Sequence, residues 1–339
     1  MEPFTKHIES ASATPIYKQV MDMVIEAIKG KLILKGDKLP SVNAVSKELN
    51  IANGTIVKAY EELKKMGLID AQQGKAFYVI NEDVKTTLNI FILADRLTSY
   101  KEILFHAFMH EFDADVTIDF NFHNYNYKKF EKLLLANLGY YNYYVVMPHF
   151  HEDTAPLLQQ VPLDKLLLLD ALPENMNGKF TAVYQNFYQD VFHSFEEGMH
   201  LFKKYKSVIL VSDKNDPFQY LPKSIIDGFT DVCSQNNLSF RILDNLKSSE
   251  IEKSNAYFLI SDSTLVEFLK QIEKNQWKLG SDIGLIAYDD TPTREILAGG
   301  ITVISTDFKQ MGLTAAQLIK DNSKEIIANP CKLIVRNSL

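Results

Sequence analysis

The sequence predicts an α/β protein made of two parts, a winged helix-turn-helix in residues 1–80 and a larger domain of parallel β-sheets in residues 88–339. Two observations lead to this prediction. Residues 39–79 have the pattern of a short helix, a turn, a second helix and a β-hairpin. Beyond residue 88, short apolar segments alternate with amphipathic helical segments, which is typical of parallel strands joined by helices. The polar residues 81–87 (NEDVKTT) indicate a linker.

Composition favours a cytoplasmic protein, and its net positive charge is confined to residues 1–80. The 339 residues are 46% hydrophobic and 23% charged, as in ordinary globular proteins. The amino terminus lacks a signal-peptide pattern, and no apolar segment approaches the roughly 18 residues of a membrane span. Cys233 and Cys331 fit neither a disulfide framework nor a zinc cluster. The net charge of −7 divides into +2 for residues 1–80 and −9 for the remainder, which weakly favours phosphate contact by the first part.

The helices of the first part are predicted from their apolar spacing and their end signals. Residues 15–31 have apolar side chains every three or four positions, which predicts one helix. Ser41 after Pro40 is a good N-cap for the next helix. The following helix covers about 53–66 and stops at Gly67, as a left-handed cap would require. Residues 69–71 and 77–80 flank QQGK and predict a hairpin wing.

These residues resemble the GntR family of bacterial transcription regulators over roughly residues 12–80. The resemblance is carried by PIY at 15–17, GDKLPS at 36–41, TI at 55–56, GLI at 67–69 and the wing from Gly74 to Val79. It implies that Ser41, Thr55 and Lys58 touch phosphates or bases of double-stranded operator DNA. It also implies that Gly74 and Lys75 lay the wing along the minor groove.

Four positions depart from the family pattern. The family usually has an arginine where Asn43 stands, a Ser-Arg pair where Ala52 and Asn53 stand, and a second wing glycine where Ala76 stands. Arginine is the usual reader of guanine, so guanine recognition is not expected there, and Asn53 can instead read adenine. The alternative is a winged helix that contacts protein rather than DNA.

The second part has eight strand-like segments with helices between them. They cover residues 88–94, 116–122, 143–147, 166–169, 208–211, 257–260, 283–287 and 302–304, and two of the helices are expected at 99–112 and 127–138. Parallel sheets bind ligands at the carboxyl ends of their strands. Those ends carry polar residues, among them Asp95, Arg96, His123, His149, Ser261, Asp262 and Asp289. Together with interleaved aromatic residues they suit a polyhydroxylated ligand. The alternative is that each is a turn former or helix cap.

This region also resembles the effector domain of the LacI family, which has the type I periplasmic sugar-binding fold. The resemblance is sharpest at DIGLIAYDDT (282–291) and ITVISTDF (301–308). It implies that Asp289 binds sugar hydroxyls, that Ser261 and Asp262 form the pocket wall, and that Phe187 lies near the ligand. Lobe one is expected over about 88–183 plus 301–328, and lobe two over about 184–300 plus 329–339.

The family commonly has an arginine three residues before the glycine of a Gly-Phe pair. In this chain that pair is Gly228-Phe229, and Ile225 occupies the arginine position. Arg96 or Lys223 can substitute as the ligand clamp.

The two resemblances imply a transcription regulator whose operator affinity depends on a monosaccharide bound between two lobes. We expect a homodimer, because paired half-sites require two symmetry-related recognition helices. Aromatic residues at the strand ends favour a pentose or a 6-deoxyhexose such as L-fucose. The lobes are expected to be joined by crossings near residues 182–186, 289–301 and 328–332.

Other functions are less favoured by the sequence. His149 and His151 alternate as metal ligands can, but no third ligand stands at a diagnostic spacing. There is no P-loop or G-x-S-x-G motif, so neither a cofactor nor catalysis is expected. A domain that only dimerises, and a sugar-processing enzyme fused to a winged helix, remain alternatives.

Overall fold

The amino-terminal part is the predicted winged helix. The computed structural model describes residues 8, 14–72, 76–82, 88–114, 116–213 and 220–339. The first elements are α1 (Ile16–Lys29), α2 (Val42–Leu49), α3 (Asn53–Lys65), β1 (Ile69–Gln72) and β2 (Ala76–Val79). The strands pair antiparallel with Ile69 opposite Val79, and they form the wing. Gly74 and Lys75, together with residues 83–87 of the expected linker, lie outside the described residues.

Tyr60 of α3 organises the core of the winged helix. The side chain is fully buried, and its hydroxyl donates to the carbonyl oxygen of Pro40 at 3.0 Å. Its ring meets the ring of Phe77 edge-on at 5.0 Å. Because Pro40 precedes α2 and Phe77 belongs to the wing, one side chain holds three elements in place. Gly67 follows α3 with φ of +70°, the left-handed conformation that the sequence predicted.

The second part consists of two lobes, each built on a six-stranded sheet. The elements of lobe one are β3 (Asn89–Ala94), α4 (Ser99–His110), β4 (Thr117–Phe122), α5 (Tyr127–Asn137), β5 (Tyr143–Val146), α6 (Ala155–Leu158), β6 (Leu166–Asp170) and β7 (Thr181–Tyr184). Those of lobe two are α7 (Phe187–Glu197), α8 (Met199–Phe202), β8 (Ser207–Val211), α9 (Lys223–Gln235), β9 (Phe240–Leu243), β10 (Asn255–Leu259), α10 (Asp262–Lys274), β11 (Gly284–Tyr288), α11 (Pro292–Ile296) and β12 (Thr302–Thr306). The chain then adds α12 (Phe308–Lys320) and β13 (Ile326–Ala328) to lobe one and β14 (Cys331–Ile334) to lobe two.

The strand order confirms the parallel architecture. Lobe one runs β13-β7-β6-β5-β3-β4, and lobe two runs β14-β12-β11-β10-β8-β9. In lobe two every neighbouring pair is parallel except β12 with β14. The central strands are apolar and buried on both faces, as sheets covered by helices on each side require. None of the described helices is long and apolar enough to span a membrane.

The chain crosses between the lobes three times, and the middle crossing differs from the expected one. The chain crosses after β7 at 185–186 and again between β13 and β14 at 329–330. However, β12 pairs with β11 and β14, so it belongs to lobe two rather than to lobe one. The middle crossing is therefore near residue 307 and not at 289–301. A strand is assigned by its hydrogen-bonded neighbours, and the apolar sequence of β12 fits either sheet equally well.

Helices α4 and α12 cross closely within lobe one. Gly312 makes the approach possible, because a Cβ atom at this position would lie 2.3 Å from the carbonyl oxygen of Leu104 and 3.0 Å from the amide nitrogen of Phe108. Both of these atoms belong to the backbone of α4, so neither can move aside cheaply. Helix α12, which follows the middle crossing, is thus held against α4, the helix that carries Lys101.

Gly312→Ala is expected to destabilise the protein by about 1–3 kcal/mol, the usual cost of overpacking a close contact. Urea unfolding followed by circular dichroism measures the loss. Gln317→Ala is the matched control, because Gln317 lies on the exposed face of the same helix. Equal stability of the two variants would contradict the close approach of α4 and α12.

Candidate ligand-binding cleft and nucleic-acid interface

A cavity of about 80 Å³ lies between the two lobes, at the carboxyl ends of their central strands. Lobe one contributes residues that follow β3, β5 and β6. Lobe two contributes residues that follow β10 and β11, together with α11. This is the edge at which parallel sheets bind ligands.

A buried charge cluster forms the lobe-one wall of the cavity. Asp95, at the end of β3, accepts hydrogen bonds from the Lys101 ammonium, from the Tyr125 hydroxyl at 2.8 Å and from Nδ1 of His149 at 3.1 Å. Asp95 and Lys101 are each only 1% exposed. Burial alone would raise the pKa of Asp95, but the interactions with the Lys101 ammonium and with His149 outweigh it and hold that pKa well below its usual value.

The cluster continues through Asp170 to lobe two. Nε2 of His149 lies 3.4 Å from Oδ2 of Asp170, so both nitrogens of the ring face carboxylates. Oδ1 of Asp170 accepts from Nε2 of Gln185 at 2.6 Å. Oε1 of Gln185 in turn accepts from the Tyr288 hydroxyl at 3.3 Å. Gln185 belongs to the first crossing and Tyr288 ends β11, so this hydrogen-bond chain runs from one lobe to the other.

Arg294 and Asp289 form the lobe-two wall. The guanidinium of Arg294 is buried, with Nη1 donating to the carbonyl oxygens of Tyr288 and Asp289 and Nη2 donating to Asp262. Asp289 has φ of +64°, and the bonds from Arg294 hold this left-handed turn after β11. Oδ1 of Asp289 and Nε of Arg294 are buried without a hydrogen-bond partner among the described residues.

Asp289 is poised to be protonated at neutral pH. Burial is the largest cause, and the negative charge of Asp170 adds to it, so the pKa of Asp289 rises to about 8 even though Arg294 opposes the shift. A protonated carboxyl group both donates and accepts hydrogen bonds. This carboxyl group can therefore donate a hydrogen bond to a ligand hydroxyl or accept one from it.

Aromatic rings cover parts of the same cavity. Tyr220 of lobe two stacks on His149 at 5.4 Å with an interplanar angle of 27°, and it lies 4.9 Å from the ring of His151. Tyr100 stacks on Phe308 at 4.7 Å. Phe187, the first residue of α7, also lines the cavity. Such rings pack against the C–H faces of a sugar while the polar groups bind its hydroxyls.

The structure brings most of the sequence-predicted ligand residues together. Those that line the cavity are Asp95, Arg96, His149, Phe187, Ser261, Asp262 and Asp289. His123 is not among them. Its Nε2 lies 3.1 Å from the Met147 carbonyl oxygen, its Nδ1 accepts from the Tyr125 amide, and burial lowers its pKa to about 4. His123 therefore supports Tyr125 from behind the wall.

Sequence reasoning missed the residues that complete both walls. These are Lys101, Tyr125, Asp170, Gln185 and Arg294. Lys101 lies in the first turn of a helix and Arg294 in a short helix after β11, where a charged side chain is normally exposed. The only available signal was their position close behind a strand end.

The candidate nucleic-acid interface lies at the amino-terminal ends of α2 and α3. Oγ of Ser41 caps α2 by accepting from the amide of Ala44 at 3.2 Å. Asn53 begins α3, and its side-chain amide donates to Oδ1 of Asn43 at 3.0 Å. Thr55 is half-buried in the first turn of α3. The Lys58 ammonium is exposed and lies 3.9 Å from the centre of the Tyr17 ring.

Asp289→Asn tests the raised pKa of Asp289. Folding takes up a proton at this group, so its cost to stability grows as the pH rises from about 4 towards about 8. The asparagine variant resembles the protonated acid and should be more stable than wild type at pH 8, with a difference that shrinks as the pH falls and vanishes only below the ordinary pKa of 3.8. Thermal unfolding at several pH values measures this. Asp244→Asn, at an exposed site, is the control, and a pH-independent difference for Asp289→Asn would rule out the shift.

Comparison with known proteins identifies both parts. The model of the bacterial regulatory proteins of the gntR family matches residues 16–79, and that of the periplasmic binding protein-like domain matches residues 201–339. The HTH-type transcriptional repressor YtrA of Bacillus subtilis is 36% identical over 97 residues, which cover 29% of this chain and 71% of YtrA. The repressor MngR of the mannosyl-D-glycerate system of Escherichia coli is 31% identical over 90 residues, 26% of this chain and 35% of MngR.

Solved structures match the two-lobed part in fold. The Lac repressor dimer, bound to operator and an anti-inducer, has a TM-score of 0.60 at 15% identity, covering 75% of this chain and 95% of that chain. The Escherichia coli trehalose repressor has a TM-score of 0.61 at 13% identity, covering 74% and 100%. A LacI-family regulator from Lactobacillus casei with bound glucose has 0.58 at 15% identity, covering 75% and 100%. With its winged helix and its two lobes of LacI-type fold, the chain belongs to the gntR family of bacterial regulatory proteins, and it is a DNA-binding transcription regulator.

Proposed function

We propose that the regulator's affinity for operator DNA is controlled by a monosaccharide bound between the two lobes. The observation that carries this proposal is the cavity itself, which has hydrogen-bonding groups and aromatic rings on both walls at the carboxyl ends of two parallel sheets. A ligand in this position contacts both lobes at once. It therefore favours the conformation in which the lobes are closed.

Each wall has a different part in binding. In lobe two, Asp289 binds a sugar hydroxyl, and Ser261 and Asp262 border it at the start of α10. Phe187 and Tyr220 pack against the sugar ring. The lobe-one cluster provides a rigid surface, because its carboxylates are already hydrogen-bonded to neighbouring side chains. The aromatic lining supports a pentose or a 6-deoxyhexose such as L-fucose.

Closure is transmitted by hinge motion at the three crossings. The protein acts as a homodimer in the cytoplasm, so that two winged helices meet two half-sites of double-stranded operator DNA. A change of lobe angle alters the spacing of these winged helices. The effect on operator affinity cannot exceed the ligand's preference for one state, typically about 1–3 kcal/mol.

Binding of sugars is tested by thermal unfolding with a panel of D-xylose, L-arabinose, L-fucose, D-galactose and D-galacturonate. At least one sugar should raise the unfolding temperature by several degrees, because a ligand that binds only the folded state stabilises it. Asp289→Ala should abolish that rise, whereas Asp244→Ala should keep it. A domain that only dimerises would show no stabilisation by any sugar, and turnover of a sugar would indicate an enzyme.

Lys58→Ala tests the contact of α3 with phosphate. Binding should weaken for all DNA sequences, and the slope of log affinity against log salt should fall by about one for each phosphate that the protein no longer neutralises in each half-site. Fluorescence anisotropy at several salt concentrations measures this slope. Lys65→Ala is the control on the same helix, since its ammonium is already paired with Glu62 at 2.7 Å. An unchanged slope for Lys58→Ala would exclude Lys58 from the phosphate-binding residues.

A further inference from the structure

Neither Lys223 nor Ile225 provides the clamp that the resemblance leads one to expect. Ile225 lines the cavity but has no polar group. The side chain of Lys223 is 86% exposed, its ammonium lies 3.4 Å from Asp227, and it is not part of the cavity lining. Helix α9 therefore provides no other cation to the cavity in place of the missing arginine.

We propose that Arg96 of lobe one and Arg294 of lobe two together form the ligand clamp, one guanidinium on each side of the cavity. The inference rests on the proposed function and names how the same site recognises its ligand. Both residues line the cavity, and Nε of each is buried without a hydrogen-bond acceptor among the described residues. A buried N–H group without an acceptor is unfavourable, so a ligand oxygen is its natural partner.

Arg294 is a rigid half of the clamp. Its two terminal nitrogens are fixed by the carbonyl oxygens of Tyr288 and Asp289 and by the carboxylate of Asp262. The residue is only 4% exposed. With the planar guanidinium held at both terminal nitrogens, the direction of its Nε–H bond is fixed as well.

Arg96 is the half that lacks an ion-pair partner. It follows β3 directly, and its guanidinium carbon lies 5.8 Å from the centre of the Tyr125 ring. The Tyr125 hydroxyl is held by Asp95, so the lobe-one cluster also orients the ring beneath Arg96. Among the described residues no carboxylate lies within 4.0 Å of this guanidinium.

The distribution of donors and acceptors determines the kind of ligand. Asp95 already accepts from three side chains, and Asp170 accepts from Gln185 and faces His149. These carboxylates are thus occupied and do not need ligand hydroxyls. The residues that line the cavity include two arginines whose Nε–H donors have no acceptor among the described residues. The ligand is a monosaccharide, neutral or uronic, that presents an acceptor oxygen to each arginine and so ties the lobes together.

The clamp is tested by calorimetric titration of the full-length protein with the panel sugar that gives the largest thermal shift. Arg96→Gln and Arg294→Gln should each weaken sugar affinity at least about tenfold, since each loses a charged hydrogen bond. The double variant should be little weaker than either single variant, because a clamp with one half missing already fails to close. Lys223→Gln is the control and should bind as wild type does.

One further variant and one further measurement separate an effect on sugar binding from an effect on folding. Arg294→Lys keeps a cation near the carbonyl oxygens of β11, so it replaces Arg294→Gln if that variant does not fold. Small-angle X-ray scattering measures closure of the two lobes through the radius of gyration. Saturating sugar should decrease this radius for wild type but not for Arg96→Gln. If Arg96 had only a structural role, the folded variant would still close around the sugar.

The possible failures are distinguishable. The clamp is overturned if the sugar binds wild type and both arginine variants equally. It is also overturned if the loss of affinity in the double variant equals the product of the losses in the two single variants. In either case the sugar-responsive function stands. If no sugar in the panel binds wild type, the proposed function is overturned and the clamp with it.

Discussion

The buried ion pair between Asp95 and Lys101 is the interaction on which the candidate site depends. Two opposite charges at 1% exposure are tolerated only because His149 and Tyr125 complete the hydrogen bonding of the carboxylate. Removing one partner of such a pair typically costs about 3–5 kcal/mol, because the other charge stays buried and uncompensated. The pair therefore fixes the start of α4 against the end of β3. The ring of Tyr125, the two-sided contacts of His149 and the stacking of Tyr220 all follow from it.

The two walls of the cavity are built on opposite principles. In lobe one the carboxylates of Asp95 and Asp170 are occupied by hydrogen bonds from neighbouring side chains. In lobe two, Asp289 is half-buried beside a paired arginine, has a raised pKa and keeps its buried Oδ1 without a partner among the described residues. The hydrogen-bond chain through Gln185 to Tyr288 then links the rigid wall to the hinge.

The sequence predicted the elements whose local chemistry is strong. Ser41 caps α2 and Gly67 follows α3 in the left-handed conformation, as their residue types require, and the buried central strands were visible as apolar segments. Strands β7, β9, β13 and β14 were not predicted, because each has only three or four residues, most lie at or near a sheet edge, and none is a long apolar run. The lobe of β12 was misassigned because pairing between distant strands leaves no local signal. Lys101 and Arg294 were missed for a related reason: only tertiary contacts reveal that a charged helical residue is buried.

If ligand and operator act on a single conformational equilibrium, each must change the affinity for the other, and this thermodynamic linkage can be measured directly. Sugar affinity is determined by calorimetry for the free protein and for the protein saturated with operator DNA. We expect the two sugar affinities to differ about 5–150-fold. By reciprocity, saturating sugar should change the operator affinity by the same factor. Equal sugar affinities in the two states would contradict it.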